Sequence, residues 1–182
     1  PLKVYVGINY SNELQEAAGQ QVAFQTPQYS SETIRRVGVS LMDYTKSLNI
    51  YFKAHPLTYF DYKSSLSFQH AKPNYAYIYK GKLYEDINFI EWSNGIRYAF
   101  GEQEIEINDE RIKIPSKFPI LYFNIDKGFK VGKQPFHYTR YEVRIDQFVK
   151  IVDLGKLGIQ LSGGGVSGDA PYTKLYAGKG SS

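Results

Sequence analysis

The sequence contains no cysteine and a single methionine. The lack of cysteine excludes disulfides and thiolate metal sites, but it leaves both reducing and oxidising compartments open. Long apolar runs are also missing, because no stretch approaches the roughly 18 consecutive apolar residues that a membrane-spanning helix requires. Helical periodicity is equally scarce. Only residues 12–21 are compatible with a helix, and they are equally compatible with a loop.

Charge of one sign is nowhere concentrated. The 182 residues include 22 Lys and Arg and 18 Asp and Glu, which gives a formal net charge of +4. A basic balance is compatible with nucleic-acid binding, yet Arg35-Arg36 is the densest basic pair, and no polybasic arm or ribonucleoprotein aromatic motif is present. We therefore expect no nucleic-acid partner.

Aromatic residues, in contrast, are abundant: 17 Tyr, 11 Phe and 1 Trp make up 16% of the chain, a balance that favours strands. The main pattern is an alternation of apolar and polar residues with period two, which is typical of half-buried strands. It recurs in residues 2–10, 36–41, 48–54, 58–69, 90–100, 121–126, 140–151 and 157–162. Residues 104–107 and 111–114 predict a further hairpin, in which acidic and basic residues oppose one another. Residues 25–31, 71–74 and 133–135 predict loops, and residues 153–156 a tight turn.

The alternation is strongest in residues 140–151. One face of this predicted strand carries Tyr141, Val143, Ile145 and Val149. The opposite face carries charges of both signs, contributed by Arg140, Glu142, Arg144 and Asp146. Residues 90–100 alternate over about the length that a tilted membrane strand needs.

Two β architectures explain such alternation, and they assign opposite meanings to the apolar face. In a soluble sandwich or small barrel this face packs inward, whereas in an outer-membrane barrel it faces lipid and the polar face lines the lumen. Aromatic residues near the predicted strand ends favour the membrane barrel, where they would form the girdles. These residues are Tyr59, Phe60, Tyr75, Tyr77, Tyr79, Tyr98, Phe100, Phe136 and Tyr138.

Three segments also carry a resemblance to a known family. Residues 92–102, residues 117–123 with Lys127-Gly128, and the charged strand around Tyr141 resemble the barrel region of Bacteroidetes-type outer-membrane proteins of the BamA/TamA-like surface-antigen superfamily. The resemblance covers roughly residues 33–182, and residues 168–181 resemble the strand and approach that lead into the family's lid loop. The Arg-Gly-aromatic motif of that loop does not occur in this sequence.

The resemblance implies a fold and a function. The expected fold is all-β: an antiparallel up-and-down transmembrane β-barrel, with residues 1–182 forming one barrel domain or an incomplete portion of a barrel of about sixteen strands. The expected function is that of a scaffold for insertion, translocation or surface display of proteins, located in the bacterial outer membrane. Its partners would be membrane lipid and client or partner proteins of the outer membrane. The alternative is a soluble β-sandwich or small β-barrel that binds a ligand through aromatic loops.

No residues of this sequence predict catalysis or a cofactor. His55, His70 and His137 lack further ligands at metal-binding spacing, so a polar lumen or loop role is favoured for them. The acidic residues between 102 and 110 could bind Ca²⁺, but a solvated charged hairpin explains them better. The glycines at 163–165 lack the Lys of a phosphate-binding loop, and close backbone packing is the better explanation. We therefore expect no enzyme activity, no metal and no cofactor.

The C-terminal segment is predicted to change character within a few residues. Gly and Ser replace the apolar residues from Ser162 onward, and Pro171 cannot donate to a strand ladder. The last strand is therefore expected to weaken in the glycines and to become irregular by Pro171. Residues 172–182 should then form an exposed approach to a loop or a lumen-lining segment, with Tyr172 and Tyr176 as anchors; the alternative is a frayed tail.

Overall fold

The fold is all-β and antiparallel in a computed structural model that describes residues 3–16, 42–107, 110–114, 116–151 and 155–176. Eleven strands and one 3-10 helix occur in these residues. They are β1 (Lys3–Glu16), β2 (Met42–Leu57), β3 (Phe60–Pro73), β4 (Tyr77–Tyr79), β5 (Lys82–Tyr84), β6 (Ile87–Tyr98), β7 (Gln103–Ile107), β8 (Glu110–Ile114), β9 (Ile120–Lys130), β10 (His137–Ile151), β11 (Gly155–Asp169) and η1 (Tyr172–Lys174). Among the described residues, no helix is long and apolar enough to span a membrane.

Seven long strands form one sheet in the order β1-β2-β3-β6-β9-β10-β11. Each strand pairs antiparallel with the next long strand along the chain, so the sheet is an up-and-down meander. Two short hairpins, β4-β5 and β7-β8, are inserted between long strands. In the part of the chain that the structure describes, β1 and β11 each pair with one neighbour only, so this sheet is open.

The register aligns the apolar positions of neighbouring strands. Ile96 of β6 lies opposite Phe123 of β9, which in turn lies opposite Val143 of β10. Because side chains alternate across a strand, this register places the apolar residues of all seven strands on one face of the sheet. A slip of one residue would exchange the two faces, so the alternation read from the sequence also determines the register.

In a water-soluble sheet the charged face is exposed and the apolar face is buried. In this sheet the exposure of the two faces is reversed. Val143 is 45% exposed, whereas its neighbour Arg144 is 7% exposed. The predicted division of residues 140–151 into an apolar and a charged face is therefore confirmed, and the charged face is the buried one. Exposed apolar residues occur on every long strand, among them Val6, Ile8, Leu48, Ile50, Phe68, Trp92, Phe123, Ile125, Ile145, Ile159 and Leu161.

A compact apolar cluster lies at one end of the sheet, where the β4-β5 hairpin packs on Ile87 and Phe89 of β6. The hairpin turns through Lys80 and Gly81, both with positive φ (50° and 75°), as a two-residue hairpin loop requires. Phe136, from the β9-β10 connection, is fully buried in this cluster. We call this group the aromatic cap; its ring-bearing members are Tyr75, Tyr77, Tyr79, Tyr84, Phe89, Phe136 and Tyr172.

The aromatic cap corrects part of the predicted girdle. Tyr77 and Phe136 were expected near strand ends at a membrane interface, but they are 2% and 0% exposed. The prediction was wrong for them because the β4-β5 hairpin was not foreseen: its strands have only three residues each, too few to show an alternation. Tyr138, a further girdle candidate, is 3% exposed and faces the polar side of the sheet.

The glycine-rich part of the last strand also differs from expectation. β11 stays paired with β10 up to Asp169 opposite His137, so it does not weaken at Gly163-Gly164-Gly165. A Cβ at Gly165 would overlap the Tyr141 ring, and one at Gly164 would overlap Tyr176. Gly164 and Gly165 therefore make room for aromatic rings, as close packing predicts, whereas a Cβ at Gly163 would meet open space. The predicted irregularity at Pro171 is confirmed, since β11 ends at Asp169.

The described residues test only some of the other predicted strand and loop boundaries. Residues 71–73 were expected in a loop, but they continue β3 and pair with β2. The hairpin predicted from residues 104–114 is confirmed as β7-β8, with Glu104 opposite Lys113 and Glu106 opposite Arg111. The strand expected at 36–41 and the loop at 25–31 lie outside the described residues. So does most of the turn at 153–156.

Phe136→Ala should destabilise the fold by about 3 to 5 kcal/mol, the usual cost of removing a fully buried phenylalanine ring. The free energy of unfolding can be measured by denaturant titration, with fluorescence of the single tryptophan as the signal. Phe118→Ala is the matched control, because Phe118 is 40% exposed. Its effect should stay near about 0.5 kcal/mol. Equal effects of the two variants would contradict the assignment of the aromatic cap as the core.

Candidate functional site

The buried polar face of the sheet is the most distinctive chemical feature of the chain, and its charges are paired. Arg140 and Asp126 lie opposite one another on β10 and β9. Nε and Nη2 of Arg140 donate to Oδ2 of Asp126 at 2.9 and 2.7 Å. Arg144 donates from Nε to Oδ1 of Asp146 at 2.7 Å, two residues further along the same face. All four side chains are buried, so pairing offsets the cost of removing their charges from water.

A third buried pair joins the sheet to the C-terminal segment. Lys174 of η1 donates from Nζ to Oε1 of Glu91 at 3.0 Å, and the Tyr138 hydroxyl donates to the other carboxylate oxygen. Lys174 also lies 5.0 Å from the centroid of the Phe89 ring. Lys174 and Glu91 are 4% and 5% exposed. No local pattern predicts this pair, because its members lie 83 positions apart in the chain.

A fourth group of charges lies near the other end of the sheet, around Arg97 of β6. Nη1 of Arg97 donates to Glu102 at 2.8 Å and to Asp61 at 3.2 Å. His55 Nδ1 lies 2.6 Å from the second carboxylate oxygen of Asp61. The Tyr122 ring lies between the two arginines of this region, with its centroid 5.8 Å from Arg97 and 4.7 Å from Arg144.

The C-terminal segment after β11, which we call the strap (residues 170–176), lies across the polar face. Its Tyr172 ring stacks on Tyr77 at a centroid distance of 5.0 Å, and its Tyr176 hydroxyl donates to the backbone oxygen of Tyr141 at 3.0 Å. Tyr172 and Tyr176 thus make anchoring contacts as predicted, but the segment is not exposed as expected, because Lys174 is 4% exposed. Residues 177–182 lie outside the described chain. Burial raises the pKa of Tyr77 and of Tyr172 to about 12, so both hydroxyls stay neutral at physiological pH.

The tyrosine hydroxyls connect the strap to the sheet through a short chain of hydrogen bonds. The Tyr172 hydroxyl donates to that of Tyr75, which donates to Oδ1 of Asp43 at 2.9 Å. The backbone N–H of Tyr172 is 3.3 Å from the Tyr77 hydroxyl oxygen. Buried polar groups at this end of the sheet thus satisfy one another, which fixes the strap in one position.

The three histidines lie in separate places. His55 pairs with Asp61, and His70 Nδ1 lies 2.6 Å from Oδ1 of Asn88. His137 Nδ1 donates to the Pro135 carbonyl at 3.0 Å. Within the described ranges, no group of three or more His, Cys, Asp or Glu residues could hold a metal ion. The polar face therefore carries paired charges with the strap across it.

Comparison with known proteins identifies one relationship. The domain described as "Family of unknown function (DUF5686) C-terminal domain" matches residues 55–168, which is more than half of the chain. This match includes most of the sheet, from the end of β2 to almost the end of β11. No curated protein and no solved structure matches the chain.

Lys174→Met should release the strap, because it leaves the Glu91 carboxylate buried without its lysine. Removing one member of a buried ion pair costs about 3 kcal/mol or more. This cost corresponds to a roughly hundredfold larger population of molecules in which the strap has left the polar face. Chymotrypsin cleavage after Tyr172 and Tyr176 measures this population when opening is fast relative to cleavage. The double variant Glu91→Gln with Lys174→Met should be cleaved more slowly than the single variant.

The matched control is Lys80→Gln, which removes a lysine that is exposed and pairs with Asp169 at 2.7 Å. Solvent screens that pair, so its loss should change cleavage much less. If Lys174→Met were cleaved no faster than Lys80→Gln, the buried pair would not hold the strap.

Proposed function

We propose that this chain, which belongs to the DUF5686 C-terminal domain family, forms part of the wall of a transmembrane β-barrel in the bacterial outer membrane. Its apolar face contacts lipid, and its polar face lines the barrel interior. The barrel acts as a scaffold for insertion, translocation or surface display of other proteins, as the resemblance to the BamA/TamA-like superfamily implies. No enzymatic step is assigned to these residues.

The observation that carries this proposal is the inverted exposure of the two faces. Water-soluble monomers rarely expose contiguous apolar patches larger than a few hundred Å². Here the exposed apolar residues continue across all seven strands, while charged residues of the opposite face on β6, β9 and β10 are buried: Glu91, Asp126, Arg140, Glu142, Arg144 and Asp146. In the described residues no second sheet covers the apolar face, so a sandwich partner for it is absent from this part of the chain. Lipid is the environment that makes such a face favourable.

The dimensions of the apolar band support a membrane location. On β6 the band runs from Ile90 to Tyr98, which is about 27 Å along a strand. At a strand tilt of 40–45° this spans about 20 Å of bilayer thickness, near the roughly 25 Å band of outer-membrane barrels. Aromatic residues lie near both ends of the band, as girdles do. Tyr98 and Phe100 lie at one end, and Tyr10 and Tyr44 lie towards the other.

The open edges of β1 and β11 set a requirement on the complete assembly. Backbone groups of an unpaired edge cannot be satisfied within the hydrocarbon layer, so a membrane-spanning sheet has to close on itself. In the proposed barrel, further strands pair with these two edges. Paired charges such as Arg140 with Asp126 then form a hydrated, rigid inner wall.

Val143→Arg tests the direction of the apolar face. At an exposed position in water this substitution should change stability by only about 0.5 kcal/mol. On the lipid face near the bilayer midplane it should cost about 2 to 4 kcal/mol. The free energy of unfolding can be measured by denaturant titration of the protein folded into phospholipid vesicles.

Gln147→Arg provides the matched control, because Gln147 lies on the same face of β10, four residues closer to the strand end. The cost of arginine falls to about 0–1 kcal/mol near the interface, so the two variants should differ. A cost near zero for both would contradict the proposed lipid contact.

A further inference from the structure

One open groove interrupts the apolar face near the end that carries the aromatic cap. Its volume is about 330 Å³, and both apolar and polar residues line it. The floor is built from one row of the sheet, in which Tyr10, Leu48, Phe68 and Ile90 lie side by side on β1, β2, β3 and β6. Val131, directly after β9, adds a further wall.

The next row of the sheet toward the aromatic cap is polar, and it also lines the groove. Lys46 of β2 lies opposite His70 of β3, which lies opposite Asn88 of β6. Asn88 is held in place, since its N–H donates to Gln134 at 2.6 Å and its Oδ1 lies 2.6 Å from His70 Nδ1. Because Oδ1 is an acceptor, Nδ1 of His70 carries the hydrogen and donates this bond.

Basic residues surround this polar row. Lys72 lies one row further out on β3, and Lys133 follows Val131 in the chain; both are exposed. The nearby carboxylates are Glu85 and Asp86, just before β6. Among the residues that the structure describes, no ion pair joins either of them to these lysines or to Lys46. The groove thus has an apolar body and a basic end.

We infer that this groove binds an anionic phospholipid, with an acyl chain along the apolar row and the negatively charged headgroup at Lys46. The inference rests on the proposed function, because it places Lys46 at the edge of the apolar band, where lipid headgroups lie. A basic pocket beside an apolar surface suits this ligand in both of its parts: lysines attract the negative charge, and the apolar row contacts the chain. A zwitterionic lipid such as phosphatidylcholine also carries a phosphate, but its choline cation offsets the attraction to the lysines.

Trp92 supplies a native reporter, because it is the single tryptophan and lies two residues from Ile90 on the same face of β6. Two residues along a strand correspond to about 7 Å. The full chain is incorporated in phosphatidylcholine vesicles that contain a small fraction of lipid brominated near the top of the acyl chain. In one series the brominated lipid is phosphatidylglycerol, and in the other it is phosphatidylcholine.

Three results are expected. Brominated phosphatidylcholine quenches Trp92 to the extent that random mixing gives, and brominated phosphatidylglycerol quenches it more strongly at the same fraction. Lys46→Gln weakens the association of phosphatidylglycerol about fivefold (about 1 kcal/mol), the usual contribution of one lysine near a membrane surface. Lys53→Gln, which changes a lysine on the other face of the same strand, leaves the quenching unchanged.

The experiment distinguishes a failure of the membrane location from a failure of the lipid site. Absence of quenching by either lipid would overturn the membrane location and the lipid site together. Equal quenching by both lipids, or no effect of Lys46→Gln, would overturn the site and leave the membrane location standing. If millimolar inorganic phosphate removed the preference for phosphatidylglycerol, the basic end would bind a free anion, and the assignment of a lipid would be wrong.

Discussion

The structure depends on one constraint: charged side chains of β6, β9 and β10 are buried on the face opposite the exposed apolar residues, so they have to be paired. Burying Arg140, Arg144 and their carboxylates is favourable only because each charge has a partner within hydrogen-bond distance. The antiparallel register provides one of these partners directly across the ladder, at Asp126. Shifting that register by one residue would expose these charges on the apolar face and bury the valines and isoleucines among polar groups.

The strap and the aromatic cap follow from the same constraint. A polar face with buried carboxylates attracts a cation, and Lys174 reaches Glu91 from a segment that has left the sheet. The rings around Phe136 and Tyr172 exclude water from that end, so the ion pair and the hydroxyl network lie in a partly dry environment. The strap is therefore held by both the packing of its rings and its ion pair with Glu91, and it covers one end of the polar face.

The sequence was informative where the structure depends on local alternation. It predicted the all-β class, the two faces of β10, the β7-β8 hairpin and the end of β11 before Pro171, because each of these depends on neighbouring residues. It gave no sign of pairs between distant residues, such as Glu91 with Lys174 or Tyr77 with Tyr172. The three-residue strands of β4-β5 were too short for a pattern.

Glycine illustrates a second kind of error. Gly164 and Gly165 read as weak strand residues, since they add no side-chain contacts of their own. In the structure they accommodate the rings of Tyr176 and Tyr141, so their lack of a side chain stabilises the packing around β11.

The family match from residue 55 to 168 assigns the chain to DUF5686, a family of unknown function. The proposed function therefore rests on the two faces of the sheet.

The most direct test of the lipid-facing assignment is the sedimentation behaviour of the purified full chain with and without detergent. A lipid-facing apolar surface predicts a monodisperse species in detergent micelles and aggregation when the detergent is removed. A monodisperse protein in plain buffer, with its apolar face covered by other parts of the molecule, would contradict the account and favour the soluble alternative.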